Sequence, residues 1–275
     1  TALLNLAECK DFSLTNTQEN VNNAVSNEGK PLEKFVRALF CGRPDSKQSE
    51  NVSTDVFCYE GGVNNPPDAM IRNQGDAIEI KKIESKIGGI QLNSSLPKQK
   101  LFSNDKMITD DAKTCEDWKS RDMLYVVGWV LGNNIRYLFF VYGDCIFRKN
   151  QFYEDRFNMI KESLGSLDIK ELDQTGNEYG TLKNVDRLDI NTNMRLRPLN
   201  SFDNPLKIFS DVVKLEDENK FSMFSIMRDT KYNEFEPEIK SRIENSDDVN
   251  ISNSTICDPD NEDEKIEIKV LSFTN

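Results

Sequence analysis

The stretch that decides the fold is Pro66-Pro67-Asp68-Ala69-Met70-Ile71-Arg72-Asn73-Gln74-Gly75-Asp76-Ala77-Ile78-Glu79-Ile80-Lys81-Lys82-Ile83. Two short runs, Asp68–Arg72 and Ala77–Ile83, flank a polar turn, and Gly75 is the residue expected to supply the positive φ of a tight hairpin. In the second run, period-two geometry puts Glu79 and Lys81 on one face and Ile78 and Ile80 on the other. With Gln74-Gly75 as a two-residue turn, Asp68 lies opposite Lys81 and Met70 opposite Glu79. Asp68 and Glu79 are then diagonal neighbours, roughly 7–8 Å apart at the backbone. Two carboxylates so related can share a divalent cation, with the Lys81 ammonium beside them.

Working outward, Leu32, Phe35, Val36, Leu39 and Phe40 fall on one helical stripe, with Pro31 at its start and Gly42 just past its end. Residues 12–30, rich in Asn, Thr, Ser and Gln, read as a loop or loose N-terminal arm. Met123–Leu131, Gly132-Asn133-Asn134 and Ile135–Tyr142 read as a second hairpin, apolar enough for strands covered on both faces. Helices are expected over 150–164 and Pro205–Val213, and late strands over Phe221–Met227 and Ile266–Phe273. The pattern predicts a mixed α/β protein, a sheet core flanked by helices. Its parts are an arm (1–30), a main domain (30–230) and an acidic C-terminal elaboration with a terminal strand (231–275).

Composition narrows the chemistry. The 275 residues contain no histidine, which excludes Ser-His-Asp and Cys-His nucleophile pairs, His-ligated metals and histidine bases. Carboxylates, lysine, tyrosine and oxygen-ligated metals such as Mg2+ remain for hydrolysis. The six cysteines, at 9, 41, 58, 115, 145 and 257, form no CxxC pair and read as unpaired thiols. No apolar run spans a membrane, and the opening residues carry no signal-peptide pattern, so a cytoplasmic location is expected.

The formal net charge of −12 argues against a polyanionic partner until it is resolved by region. Twelve acids face three bases between Glu234 and Glu267, whereas six lysines face two acids between Lys81 and Lys106. The basic segment follows the catalytic candidates directly and could line a phosphate backbone; a solvated lysine face explains the same composition equally well.

An Asp followed by Glu-x-Lys also arises by chance. The chain holds a second copy, Pro259-Asp260 and Glu267-Ile268-Lys269, with a shorter, acidic spacer that would repel phosphate. The first copy has better surroundings. It resembles the PD-(D/E)xK nucleases, which often place a helix glutamate near the metal; Glu33, in the first turn of the upstream helix, is the matching candidate, with a helix-dipole partner as its other reading. Asn64-Asn65-Pro66-Pro67-Asp68, Gly75-Asp76-Ala77-Ile78-Glu79-Ile80-Lys81-Lys82, Leu92-Asn93-Ser94-Ser95 and Phe140-Val141-Tyr142-Gly143-Asp144 together resemble the NgoPII-type restriction endonucleases.

That resemblance runs from about residue 30 to 215, and the acidic stretch after about residue 230 has no counterpart in it. It implies a restriction-endonuclease-like fold. It also implies Mg2+-dependent cleavage of double-stranded DNA by a homodimer at a short GC-rich palindrome, GGCC for the type member. Asp68 and Glu79 would then hold the metal and Lys81 act on the attacking water.

Candidate DNA contacts are Asn93, Ser94, Ser95, Lys98 and Lys100. Arg195 and Arg197 would point the same way on a strand and suit guanine O6 and N7, with Arg187 as a third. Surface pairing with Asp186, Asp189 or Asp203 is the other reading of these arginines. Trp118 and Trp129 read as core. Two rival functions stay open: a PD-(D/E)xK repair or branched-DNA nuclease, and a non-catalytic acidic DNA mimic or partner-binding protein.

Overall fold

The computed structural model describes residues 1–14, 29–42, 44, 53–62, 65–93, 95–167, 172–174, 178–183 and 192–275. Among these, the first half of the chain contributes strands β1 (Phe57–Glu60), β2 (Ala69–Ile71), β3 (Ala77–Ile83), β4 (Ile90–Asn93), β5 (Lys100–Phe102), β6 (Ser120–Leu131) and β7 (Asn134–Tyr142). The second half contributes β8 (Leu172–Asp173), β9 (Gly180–Lys183), β10 (Asn193–Leu196), β11 (Asn200–Phe202), β12 (Ser222–Arg228), β13 (Asn250–Asp258) and β14 (Asn261–Thr274). Nine form one mixed sheet in the order β1-β2-β3-β6-β7-β12-β14-β13, with β5 paired to β6. The β3–β6 and β7–β12 pairs are parallel and the rest antiparallel. The α/β expectation is met.

The centre of the sheet follows from its side chains. β6 and β7 are buried almost end to end, as an unbroken apolar run requires. Trp129 in β6 and Trp118 just before it are both buried, as expected. The helix Lys30–Cys41 begins at Pro31 and buries Leu32, Phe35, Val36 and Leu39. It crosses β6 closely enough that a Cβ on Gly128 would press on Leu32.

The decisive hairpin forms, with a different turn. Ala69 faces Ile78 and Met70 faces Ala77, which continues to Asp68 opposite Glu79 rather than Lys81. The two central turn residues are Asn73 and Gln74, both at positive φ, closed by Gly75 N donating to Arg72 O at 3.2 Å. Gly75 serves packing instead, since a Cβ there would strike the Ile71 side chain. Moving the turn by one residue slips the pairing by two, which preserves the face each side chain occupies. Asp68, Glu79 and Lys81 therefore stay on one side.

The turn is held from beneath. Glu116 accepts from the amides of Asn73 and Gln74 at 3.1 and 2.7 Å. Arg121, 2% exposed, donates to the carbonyls of Ile71 and Gly75 at 2.5 Å each and pairs with Glu116.

Other expectations shift. The helix expected over Pro205–Val213 stops at Ile208; Asn204 caps it through Leu206 N, Phe209 leaves helical geometry, and the chain continues in turns. The 150–164 helix runs Asn150–Ser166, but Ile160 is exposed and only Asn150 is buried. Most of the 12–30 loop lies outside the described residues. The late strands form as β12 and β14, and β13, a strand without a clear sequence signal, pairs with β14 at the sheet edge.

Replacing Arg121 with Met would strand two carbonyls and a carboxylate under the turn. Urea unfolding is expected to show a loss of about 3–5 kcal/mol; a loss below ~1 kcal/mol would mean that other contacts hold the turn.

Candidate active site

Asp68 sits at the entrance to β2, directly after the Pro66–Pro67 pair. Its amide donates to Ile78 O at 2.9 Å and its Oδ2 accepts from Ile80 N at 2.6 Å, so backbone bonds to β3 fix the carboxylate. Gly61 lets β1 pass close by, since a Cβ there would collide with the Pro67 carbonyl. Glu79 is 6% exposed; its Oε1 accepts from Lys81 Nζ at 2.6 Å, and its buried Oε2 has no hydrogen-bond partner. The Lys30–Cys41 helix brings Glu33 and Arg37. Arg37 Nη2 lies 3.9 Å from Glu33 Oε2, while Arg37 Nη1 donates to Asp68 O at 3.4 Å. Sequence reading missed Arg37; its i,i+4 spacing from Glu33 was the available signal.

Burial first, and the Glu79 charge second, hold the Asp68 carboxyl well above the usual carboxylate range, with Lys81 opposing them. Burial pulls the Lys81 ammonium down, but Glu79, Asp68 and Glu33 outweigh it and keep its proton affinity above the ordinary value.

A cavity of about 320 Å3 opens on these groups, with Asp68, Glu79, Lys81, Asn93, Ser95 and Arg197 in its wall. Asn93 and Ser95 are held there by the Asn200 side chain, which donates to both their carbonyls. Lys98 and Lys100 line a neighbouring cavity of about 720 Å3 that shares Met107 with the first. Lys98 is buried and paired with Asp105 at 3.0 Å, and Lys100 is exposed and paired with Asp122 at 2.8 Å. Ser94 and Arg187 lie outside the described residues. Arg195 and Arg197 both pair with Glu178, a partner not foreseen, while Asp203 pairs with Lys207.

The second Asp…Glu-x-Lys copy does not assemble into such a site. Asp260 sits in the β13–β14 turn and accepts from Lys149 N and Gln99 Nε2, Glu267 is exposed, and Lys269 pairs with Asp229.

Among the described residues no three Asp, Glu or Cys side chains gather tightly enough to hold a metal ion by themselves. The donor set nevertheless fits a hard cation that keeps much of its own water, which needs only one or two carboxylates. The buried, unpartnered Glu79 Oε2 is an oxygen that such a cation would satisfy.

Three of the four sequence blocks border this cavity. Pro66, Asp68, Glu79, Lys81, Leu92, Asn93 and Ser95 are in its wall, and Tyr142 of the fourth block donates to Asp76 of the second at 2.6 Å. A sequence model of the NgoPII restriction endonucleases matches residues 1–257. The chain belongs to the NgoPII restriction endonuclease family. The type II restriction enzyme NgoPII of Neisseria gonorrhoeae is 33% identical over 275 residues, covering 99% of this chain and 98% of that enzyme. No solved structure matches. Like its relative, this NgoPII-family chain is a type II restriction endonuclease, and so a DNA-binding hydrolase. The match overturns two expectations: it starts at residue 1 rather than about 30, and it runs through most of the acidic C-terminal stretch. No helix among the described residues is long and apolar enough to cross a membrane.

Because the folded Asp68 binds its proton more tightly than the unfolded chain does, its stabilising contribution is present in acid. That contribution is lost as pH rises through the folded value. Asp68→Asn, which can still accept from Ile80 N, is therefore expected to melt roughly 2–4 °C higher than the wild type at pH 8 in chelator. The gap should close near pH 4; a variant that melts lower at pH 8 would contradict this electrostatic picture.

Proposed function

We propose that the enzyme makes Mg2+-dependent phosphodiester cuts in double-stranded DNA at a short GC-rich palindrome, GGCC-like, using a PD-(D/E)xK site. The observation that carries this reading is the wall shared by Asp68, Glu79 and Lys81, in which Glu79 keeps one buried oxygen unpartnered. Asp68 and Glu79 would hold the metal, which when bound supplies Lewis-acid polarisation of the scissile phosphate.

The chain's own residues do the rest. The Ile80 amide orients Asp68, and Lys81 braces Glu79. In the metal-free protein its carboxylate neighbours favour the charged form of Lys81, and a lysine ammonium is a donor. It therefore donates hydrogen bonds to the attacking water or a phosphoryl oxygen and offsets the charge that builds on phosphorus. Glu33 adds negative potential from the helix, and Arg37 keeps Asp68 and Glu33 in register.

Asn93, Ser94, Ser95, Lys98, Lys100, Arg187, Arg195 and Arg197 are assigned to the DNA. Asn93, Ser95 and Arg197 border the cavity, where base edges or the nearest phosphates would lie. Lys98 and Lys100 would act on flanking phosphates after exchanging their carboxylate partners. Residues 30–230 are assigned catalysis and DNA binding and 231–275 an elaboration whose strands extend the same sheet; of the segment assigned as an arm (1–30), the helix Ala2–Ala7 packs Leu4 and Leu6 into the core. A palindromic target pairs with a homodimer, each copy cutting one strand. The bacterial relative supports a cytoplasmic, prokaryotic setting.

The test uses purified protein, a mixed-sequence plasmid and Mg2+. Wild type and Glu267→Ala, from the second motif copy, should give the same discrete fragments. Asp68→Ala and Glu79→Gln should each lose on the order of 100-fold or more in rate. Loss in Glu267→Ala alone would overturn the site assignment, and cleavage only of branched DNA would favour a repair nuclease. Sequenced fragment ends lacking GGCC would refute the target.

A further inference from the structure

Arg195 lies in β10, and Arg197 follows two residues later, just beyond it. Both guanidinium groups converge on one carboxylate. Glu178 accepts from Arg195 Nε at 3.1 Å and from Arg195 Nη2, and Arg197 Nε lies 3.2 Å from the same Glu178 Oε1. One negative charge thus bridges two positive ones. The Glu178 side chain is 16% exposed, against 59% and 46% for the two arginines. Thr181 Oγ1 also reaches Glu178, at 3.5 Å.

A single exposed ion pair would mean little for stability or function. Two features set this one apart. The acceptor is shared, and Arg197 at the same time borders the cavity that holds Asp68, Glu79 and Lys81. The planar donor fork of arginine fits a carboxylate, a phosphate and the O6/N7 edge of guanine alike. Glu178 therefore occupies the donors that a DNA ligand would take.

We propose that Glu178 is an internal stand-in for DNA, a carboxylate that keeps Arg195 and Arg197 paired until a duplex displaces it and so sets how tightly DNA must bind. This rests on the assignment of the two arginines to DNA in the proposed function. A duplex that offers only a phosphate exchanges one charged acceptor for another and gains little. A duplex that offers guanine edges together with phosphates gains more contacts than the exchange removes. Glu178 thereby lowers the affinity of every duplex that must displace it by the same factor, so that at a given DNA concentration the weaker, non-cognate duplex is the one left unbound.

Fluorescence anisotropy without divalent metal tests this with two labelled 20-base-pair duplexes, one containing GGCC and one with that centre scrambled. Glu178→Gln should bind the scrambled duplex roughly three- to tenfold tighter, with a log K against log salt slope steeper by about 1–2. The GGCC duplex should gain by a similar factor, because both duplexes are relieved of the same competitor. The double variant Arg195→Gln/Arg197→Gln should bind both duplexes more weakly, and adding Glu178→Gln to it should change nothing further. Weakening by the arginine variants with no gain, or a loss, in Glu178→Gln would overturn the Glu178 proposal and leave the arginine assignment standing. Wild-type binding by the double arginine variant would overturn the assignment itself. Should Glu178→Gln fail to fold by thermal melting, Glu178→Asp, too short to span both guanidiniums, is read in its place with the same expected direction.

Discussion

The guanidinium of Arg121, sealed beneath the turn between β2 and β3, fixes the pairing on which the site depends. A turn built on two non-glycine residues at positive φ is unfavourable by itself, by about 1 kcal/mol or more at Gln74. Glu116 offsets this by accepting both exposed amides, and Arg121 closes the circuit by satisfying two carbonyls and Glu116 together. A buried charge is tolerable only with partners of this kind. With the turn fixed, Asp68 has one position against β3, and its carboxylate meets the Ile80 amide. Parallel pairing of β3 with β6 then ties the arrangement to the middle of the core.

Parts of this were legible from the chain and parts were not, for identifiable reasons. The β6–β7 hairpin and the Lys30–Cys41 helix were legible because burial writes a strong periodic signal into Leu, Val and Phe positions. The Asp68, Glu79 and Lys81 grouping was legible because strand alternation alone assigns faces. The turn type was misread because glycine is the usual carrier of positive φ, whereas here long-range bonds from Glu116 impose it on Asn73 and Gln74. β13 was missed because an edge strand with Asn, Ser and Thr on both faces has no apolar alternation. Glu178 could not be foreseen as the partner of Arg195 and Arg197, since a hairpin register was needed to bring it there.

Charge shows the same division between what composition states and what structure arranges. The acidic C-terminal residues form the exposed helix Pro237–Glu244 and the β13–β14 hairpin, at the opposite end of the strand order from β1, β2 and β3. Where they approach the basic segment and the residues before the Asn150–Ser166 helix, the contacts are structural: Asp260 accepts from Gln99 Nε2 and Lys149 N, and Glu262 pairs with Arg148. The lysines after β3 also sit among acids, with Lys98 on Asp105 and Lys100 on Asp122. Several cations of the free enzyme are thus held in internal pairs, and a bare count of Lys and Arg overstates the charge it presents.

The β2–β3 turn also determines how the gene can vary. Displacing the turn by one position slides the strands by two residues and returns every side chain to its own face. Inserting one residue slides them by one, and sends Asp68 to the side opposite Glu79. Length changes at this turn are therefore sorted by parity: even insertions are compatible with the site, and odd ones dismantle it unless a bulge absorbs the extra residue. The hairpin behaves as a reading frame of two, written in protein rather than in codons.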